Sequence, residues 1–404
     1  MKFIFGYLLI IGTIFTFIIP PFQKPDETVH FKKALAVSYG VFNCPKNKQL
    51  KISKQSKNLI EDNYFQSIIN QKNKKLNLRN YLNLVIDEKP SRIQENIIID
   101  QVCQLPAISY FPHAPGLMIS RFLYLNQDLS FFLGRFFGFL VFFIWFYLLY
   151  KSCPKSIKSI VLLTFCLPMT LHQLTSYSYD GLQIMAALTV FTGIIKMIDN
   201  KTQNKKIWAL IILLSVAAIL FGRPRIKVSD PIGLQPNAQL AFLINHPLFF
   251  IELIINSTLV HFIFYAQGLI GIFGWLEYGL PIFVYFVFVV LIGYMVISTK
   301  LAKKFMLNNL YLLILTLGIF AGFLFILTIN YLRWTPYKAA IIEGVQGRYF
   351  IILFPFFIYW LINLKNKYLP RLLFKLKIAP WLTIFFIVFI SFFIFRNIFL
   401  RFYL

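Results

Sequence analysis

The chain has 404 residues, of which 58% are hydrophobic and 14% charged, against about 45–50% and about 25% in soluble domains. Its 40 Lys and Arg outnumber 15 Asp and Glu, giving a net charge of +25. The basic residues cluster between apolar runs rather than along one face, which argues against nucleic acid and for anionic membrane lipid as partner. The fold class expected is an all-α integral membrane protein.

Apolar runs of about 17–23 residues predict nine transmembrane helices, near 3–19, 131–150, 157–173, 181–197, 207–221, 281–299, 307–329, 349–364 and 380–398. Residues 1–19 are read as the first span. The rival reading is a cleaved leader, but Ile19-Pro20-Pro21-Phe22 lacks the small residues of a cleavage site. Residues 20–130 form a large outer loop, with a Pro-rich start, a Lys/Asn-rich middle and an aromatic exit from Ile108 to Pro115. Pro115 to Leu125 is apolar, too short to span and interrupted by Arg121, so an interfacial helix is expected there.

Residues 131–221 carry spans two to five, 222–280 a second outer loop, and 281–404 spans six to nine. Within 222–280, Pro247 to Ile270 is apolar but contains Glu252 and His261, and is expected as a helix in the membrane plane. Counting it as a span would place Lys300, Lys303 and Lys304 outside, against the charge rule. Those lysines, with Lys151, Lys155 and Lys158, with Lys196, Lys201, Lys205 and Lys206, and with Lys365, Lys367, Arg371, Lys375 and Lys377, mark the cytoplasmic loops. The reading is a multi-pass protein of the bacterial cytoplasmic membrane, N-terminus cytoplasmic, first large loop and C-terminus outside.

This topology places all five histidines, His30, His113, His172, His246 and His261, at the outer face. Asp26, Glu27, Asp180, Glu252, Glu277 and Glu343 go there too. A site opening outward has no ATP or nucleotide-sugar, so its activated donor would be membrane-borne. The chain has no Walker loop, dinucleotide motif or Ser elbow, and no organic cofactor is expected. Cys44 and Cys103 share the outer loop and are candidates for a disulfide, while no Cys spacing suggests zinc.

The most informative stretch is Pro20-Pro21-Phe22-Gln23-Lys24-Pro25-Asp26-Glu27-Thr28-Val29-His30. Ionisable groups at a bilayer edge are usually functional. Asp26 and His30, four apart, share a helical face, whereas Asp26 and Glu27 diverge by about 100°. The bland alternative is a helix start with Pro25 at the first position and two acids facing the dipole. Glu27 and His30 also make a Glu-x-x-His pair, which keeps a divalent metal open.

Tyr177 and Asp180 lie in the turn Ser176 to Gly181 between spans three and four, where Asp180 either caps a helix or meets substrate. Arg333 and Arg348, the latter after Gln346-Gly347, suit a phosphate by their planar forks, or else snorkel to headgroups. Arg223, Arg225 and Lys227 carry the same ambiguity. Trp275 is a candidate for stacking on a sugar or for the interfacial aromatic belt.

Four segments in order resemble the bacterial membrane proteins of the domain of unknown function 2142, grouped with the C-type (GT-C) membrane glycosyltransferases. They are Pro20 to Phe31; Leu167-Pro168-Met169 with Ser176 to Gly181; Gly271 to Glu277 with Leu280-Pro281; and Trp334-Thr335-Pro336 with Gly344 to Phe350. The resemblance implies a GT-C-like fold that transfers sugar from a polyprenyl-phosphate-linked donor at the outer face. Asp26 and Glu27 match the position of the acidic motif in the first outer loop. Asp26 is then the expected base, His30 an orienting group, Arg348 with Arg333 the phosphate partners, and Asp180 a sugar ligand. Gln346 belongs to the same substrate-binding segment. After span five the chain passes quickly to Gln239, one pair of spans shorter than the family pattern. The rival functions are a lipid-linked glycan flippase, disfavoured by charge-poor spans apart from Arg135, and a catalytically inactive glycan-lipid-binding subunit.

Overall fold

The computed structural model of the chain describes residues 2–61, 63–71, 73–77, 79, 93–199, 202, 204–222, 234–369 and 380–404. The first helix, α1 (Lys2–Ile18), ends at Pro20-Pro21, where two prolines deny it further backbone donors. The outer segment follows with α2 (Glu27–Ser38), strand β1 (Gln49–Ser53), α3 (Lys54–Glu61), α4 (Asn63–Asn70), strand β2 (Gln94–Ile98) and α5 (Ala114–Phe122). β1 and β2 pair antiparallel, Leu50 opposite Ile97. Leu50 and Ile52 turn inward with period two, so the segment is not purely helical as expected.

The long helices are α6 (Gln127–Ser152), the broken pair α7 (Lys158–Cys166) and α8 (Pro168–Leu174), α9 (Asp180–Ile198) and α10 (Lys205–Phe221). Asn126 caps α6 by accepting from Leu129 N at 2.8 Å. The third apolar run bends by 66° at Leu167-Pro168, because proline withholds its N–H and forces an extended residue before it. Then come α11 (Pro236–Asn245), α12 (Pro247–Gly271), the short pair β3 (Ile272–Phe273) and β4 (Tyr278–Gly279), α13 (Ile282–Ser298), α14 (Asn309–Trp334), α15 (Phe354–Tyr368) and α16 (Pro380–Phe402).

Among the described residues, four helices are long and apolar enough to cross a membrane: α6, α9, α12 and α14. The bent α7–α8 pair makes a fifth, and α1 and α13 contribute shorter apolar helices. Of the nine expected spans, those near 131–150, 181–197 and 307–329 pass by length and composition, and that near 157–173 passes if the bent pair is one span. One of the four, α12, is the segment expected to lie in plane. Its neighbours are instructive: Ile342 N donates to Ser257 Oγ at 2.9 Å, and a Cβ on Gly268 would come within 3.0 Å of Gly347 N. The opposite side of α12, with Leu248, Ile251, Ile255, Leu259, Phe262 and Ile263, is exposed.

The helix ends sort into two sets. At one end Lys304 pairs with Asp199 at 2.7 Å, Asn363 Oδ1 accepts from Leu307 N, and Asn366 Nδ2 donates to Thr299 O. At the other, Tyr403 OH donates to Ile18 O at 2.7 Å and Ser109 Oγ to Gly222 O at 2.9 Å. The C-terminal turn is locked there: Arg401 pairs with Glu277 at 2.7 Å and donates to Ile68 O, and Leu76 N donates to Phe402 O. Cys44 and Cys103 form a disulfide in the outer segment.

Candidate functional site

The Pro20 to His30 stretch is held on three sides. Gln23 Nε2 donates to Phe65 O at 3.0 Å. Lys24, fully buried, donates to His172 O and Thr175 O, each at 2.9 Å, and to Thr175 Oγ1, so its ammonium closes the carbonyl end of α8. Burial, with Arg135 nearby, pushes Lys24 well below the ordinary lysine range.

Glu27 faces the other way, into the bundle. Arg135 Nε donates to Glu27 Oε1 at 2.8 Å, Arg135 Nη2 donates to Oε2, and neither side chain is exposed. The remaining guanidinium protons reach Ile19 O at 2.6 Å and Pro20 O at 3.2 Å, tying the end of α1 to α6. Tyr177 N adds a bond to Oε1 at 3.2 Å. Both Glu27 oxygens are engaged within the bundle, turned away from His30, the partner with which the sequence leaves a Glu-x-x-His metal pair open. Arg135, the one charge noted within the expected spans, is a buried partner of Glu27.

Tyr177 is also turned inward, its hydroxyl donating to Phe131 O at 2.8 Å. Two glycines on α6 make room: a Cβ on Gly134 would sit 2.0 Å from Tyr177 OH, and one on Gly138 2.1 Å from His113 Nδ1. Trp275 Nε1 donates to Phe22 O at 3.2 Å, bracing the turn before Asp26. Trp275 and Tyr177 therefore act on the walls, outside the cleft.

Asp26 differs from its neighbours. It precedes α2 in the left-handed region, φ 56° and ψ 13°, and its side chain caps nothing. The alternative helix start with Pro25 at the first position is not adopted; α2 begins at Glu27. Solvent reaches Asp26, and among the described residues its carboxylate has no hydrogen bond or ion pair. Protein around it still removes much of its hydration, which raises its carboxyl above the ordinary range; Arg348 opposes the rise and Asp180 adds to it. A strained, unpaired carboxylate of this kind is a mark of functional sites.

His30 lies behind Asp26 on α2. Its Nδ1 is 2.5 Å from the buried Tyr110 hydroxyl, and its ring meets Tyr179 edge-on. Burial first, then Arg348 and His113, push His30 down to about 3, so it is neutral at working pH. Burial keeps the Tyr110 proton in place well above pH 10.0. Tyr110 therefore donates to Nδ1 and the imidazole proton resides on Nε2.

Arg348 is delivered by a close backbone crossing: a Cβ on Gly347 would come within 2.3 Å of Tyr265 O and 2.4 Å of Leu269 N. Its Nε lies 3.3 Å from Asp180 Oδ2, at the first turn of α9. Both line a cleft of about 240 Å³ with Arg333, Tyr179, Gln183, Asn330 and Tyr349. The rest of the lining is apolar, from Leu220, Phe325, Ile326, Ile329, Trp334 and Ile352. Leu220 and Phe325 are 66% and 58% exposed, so the cleft opens sideways between α10 and α14.

Of the nine candidate residues, Asp180, Arg333 and Arg348 line the cleft, and Asp26 and His30 adjoin it. Gln346 lies just before the Gly347 crossing, its Oε1 buried without a hydrogen-bond partner among the described residues. No group of three or more metal-ligating side chains gathers among the described residues. Arg223, Arg225 and Lys227 lie outside them, as do Arg371, Lys375 and Lys377. The sequence reading missed Tyr110, Tyr179, Tyr349 and Asn330. The first three stand within or beside motifs it quoted; for Asn330 the one signal was a buried amide in an apolar helix.

The family described as predicted membrane protein, DUF2142, matches residues 9–228 and 207–357. The chain belongs to this family. The two matched stretches of DUF2142 overlap at 207–228. No curated protein and no solved structure matches the chain. Asp26, Asp180, Arg333 and Arg348 all fall within the DUF2142 match.

Proposed function

We propose that this DUF2142 protein is a GT-C-like membrane glycosyltransferase. It would take a sugar from a polyprenyl-phosphate-linked donor and pass it to a cell-envelope glycan or lipid, at the outer face of the cytoplasmic membrane. The observation that carries the reading is the make-up of one cleft: Arg333, Arg348 and Asp180 at its polar end, with the unpaired Asp26 close enough to feel Arg348, and an apolar wall opening sideways at Leu220 and Phe325. Lipid phosphates have that division between charged head and hydrocarbon tail.

In this mechanism Asp26 takes the proton of the acceptor hydroxyl. The acceptor oxygen bonds to the anomeric carbon from the face opposite the phosphate, and the carbon–oxygen bond to phosphate breaks with its electron pair going to the phosphate oxygen. Arg348 and Arg333 stabilise the charge that gathers there. Asp180 meets sugar hydroxyls, and His30 Nε2–H orients the acceptor or the sugar. Glu27 serves structure, through Arg135. The nine-span arrangement with α12 in plane belongs to the same reading, supported by the charge rule and by the contacts of α12 with residues 342–347.

The test is a mass profile of lipid-linked sugars and envelope glycans from cells with and without the chain. Loss of one sugar with accumulation of its polyprenyl-linked donor supports transfer; an unchanged profile overturns it. The second reading, an inactive glycan-lipid-binding subunit, rests on the short passage from Leu220 to Gln239 after the fifth expected span. Copurification with an active transferase would support that alternative.

A further inference from the structure

The protein contains two arginine–carboxylate pairs that differ in kind. Arg135 and Glu27 meet through two parallel bonds and are sealed from solvent. Arg348 and Asp180 also meet, at 3.3 Å, and their side chains are only 10% and 14% exposed. Yet Arg348 Nε has no hydrogen-bond partner among the described residues. The second pair is therefore attracted without the aligned fork that makes such contacts strong. Both members line the cleft, and the Asp180 backbone is fixed separately, its N donating to Ser178 Oγ at 3.0 Å. The pair can part without unravelling the start of α9.

The charges in and beside the cleft balance when it is empty. Asp26 and Asp180 offset Arg333 and Arg348, and His30 is uncharged. A phosphate entering this balanced set competes directly with a carboxylate for Arg348. We propose that Asp180 is the resident counter-ion of Arg348, displaced when the phosphate of a lipid ligand takes the guanidinium. This inference rests on the reading of the cleft as a lipid-phosphate seat. Asp180 shields the guanidinium from weakly held anions, and once displaced its carboxylate is released toward the sugar hydroxyls.

The experiment measures binding of farnesyl phosphate and of inorganic phosphate to the full chain in nanodiscs of neutral lipid. Asp180→Asn, and independently Asp180→Ser, should tighten farnesyl phosphate binding by about five- to tenfold, the scale of a weak pair removed from competition. Affinity unchanged or lowered in both folded variants overturns the counter-ion role while leaving the lipid-phosphate seat intact. If inorganic phosphate binds as tightly as farnesyl phosphate and the variants still tighten it, the counter-ion role stands for a free phosphate and the lipid reading falls. If neither ligand binds any of the folded proteins, both fall.

Discussion

Glu27 and Arg135 form a fully buried bidentate ion pair that joins the first residue of α2 to the third turn of α6, with Glu27 also accepting from the Tyr177 backbone. Its neighbour Asp26, one residue away, carries an unpaired, exposed carboxylate within electrostatic reach of Arg348 and Asp180. The adjacent acids thus differ in kind, one paired inside the bundle and the other left unpaired and solvent-exposed.

Breaking one half of the buried pair strands a charge. Glu27→Gln or Arg135→Met alone should cost about 3–5 kcal/mol, whereas the double variant should recover most of that loss. Thermal unfolding in detergent, compared across the three variants, checks the expectation. Losses that simply add would argue against direct coupling.

Asp26→Asn should behave in the opposite way. Because the folded protein raises the Asp26 carboxyl, its ionised form is less favourable folded than unfolded. That stability is complete below the unfolded value and lost as pH rises through the folded one. The Asn variant, which also tolerates the left-handed backbone, should melt higher than the parent at pH 7. The difference should vanish as pH falls below 3.8, where both states are protonated.

The same shift sets a pH profile. Transfer should fall on acidification with an apparent pKa above the ordinary aspartate value, since a protonated Asp26 accepts nothing. Asp180→Asn removes a like charge and should move that acid limb to lower pH. A limb unmoved, or moved upward, would contradict the electrostatic coupling.

Gly347→Ala should displace Arg348 without touching it, because the added Cβ meets backbone atoms of Tyr265 and Leu269 at 2.3 and 2.4 Å. A cost of about 1–3 kcal/mol is expected, together with weaker binding of farnesyl phosphate. Gly293→Ala, where nothing lies within 4 Å, is the control.

Reduction of the disulfide should loosen the outer segment. Cys44 and Cys103 close a loop of 59 residues, worth about 4 kcal/mol in the chain-entropy account. They fasten the region preceding Tyr110, which holds His30. A non-reducing mass measurement should find the two cysteines joined, and Cys44→Ser with Cys103→Ser should lower the melting point.

Apolar periodicity made the long helices legible, since a run such as 309–334 has one structural outcome in lipid. It was less sure where runs were bent or interrupted: Pro168 breaks the third run, and α12, expected in plane because Glu252 and His261 interrupt it, is long and apolar enough to span. The site was half legible. Asp180, Arg333 and Arg348 stood out as charges beside apolar runs. Glu27 and Tyr177 misled because spacing within one helix cannot reveal a partner 108 or 46 residues away. The strands β1 and β2 were hidden in a Lys/Asn-rich stretch whose two inward residues, Leu50 and Ile52, form too brief an alternation.

The most direct measurement is the polyprenyl-linked sugar pool in deletion cells complemented with the parent chain, Asp26→Asn or Arg348→Ala, with membrane insertion verified for each. The account predicts that the parent restores the missing envelope sugar. Both variants should leave it missing while the lipid-linked donor accumulates. Restoration by either variant, or a pool unaffected by deletion, would contradict the claim that this cleft transfers sugar.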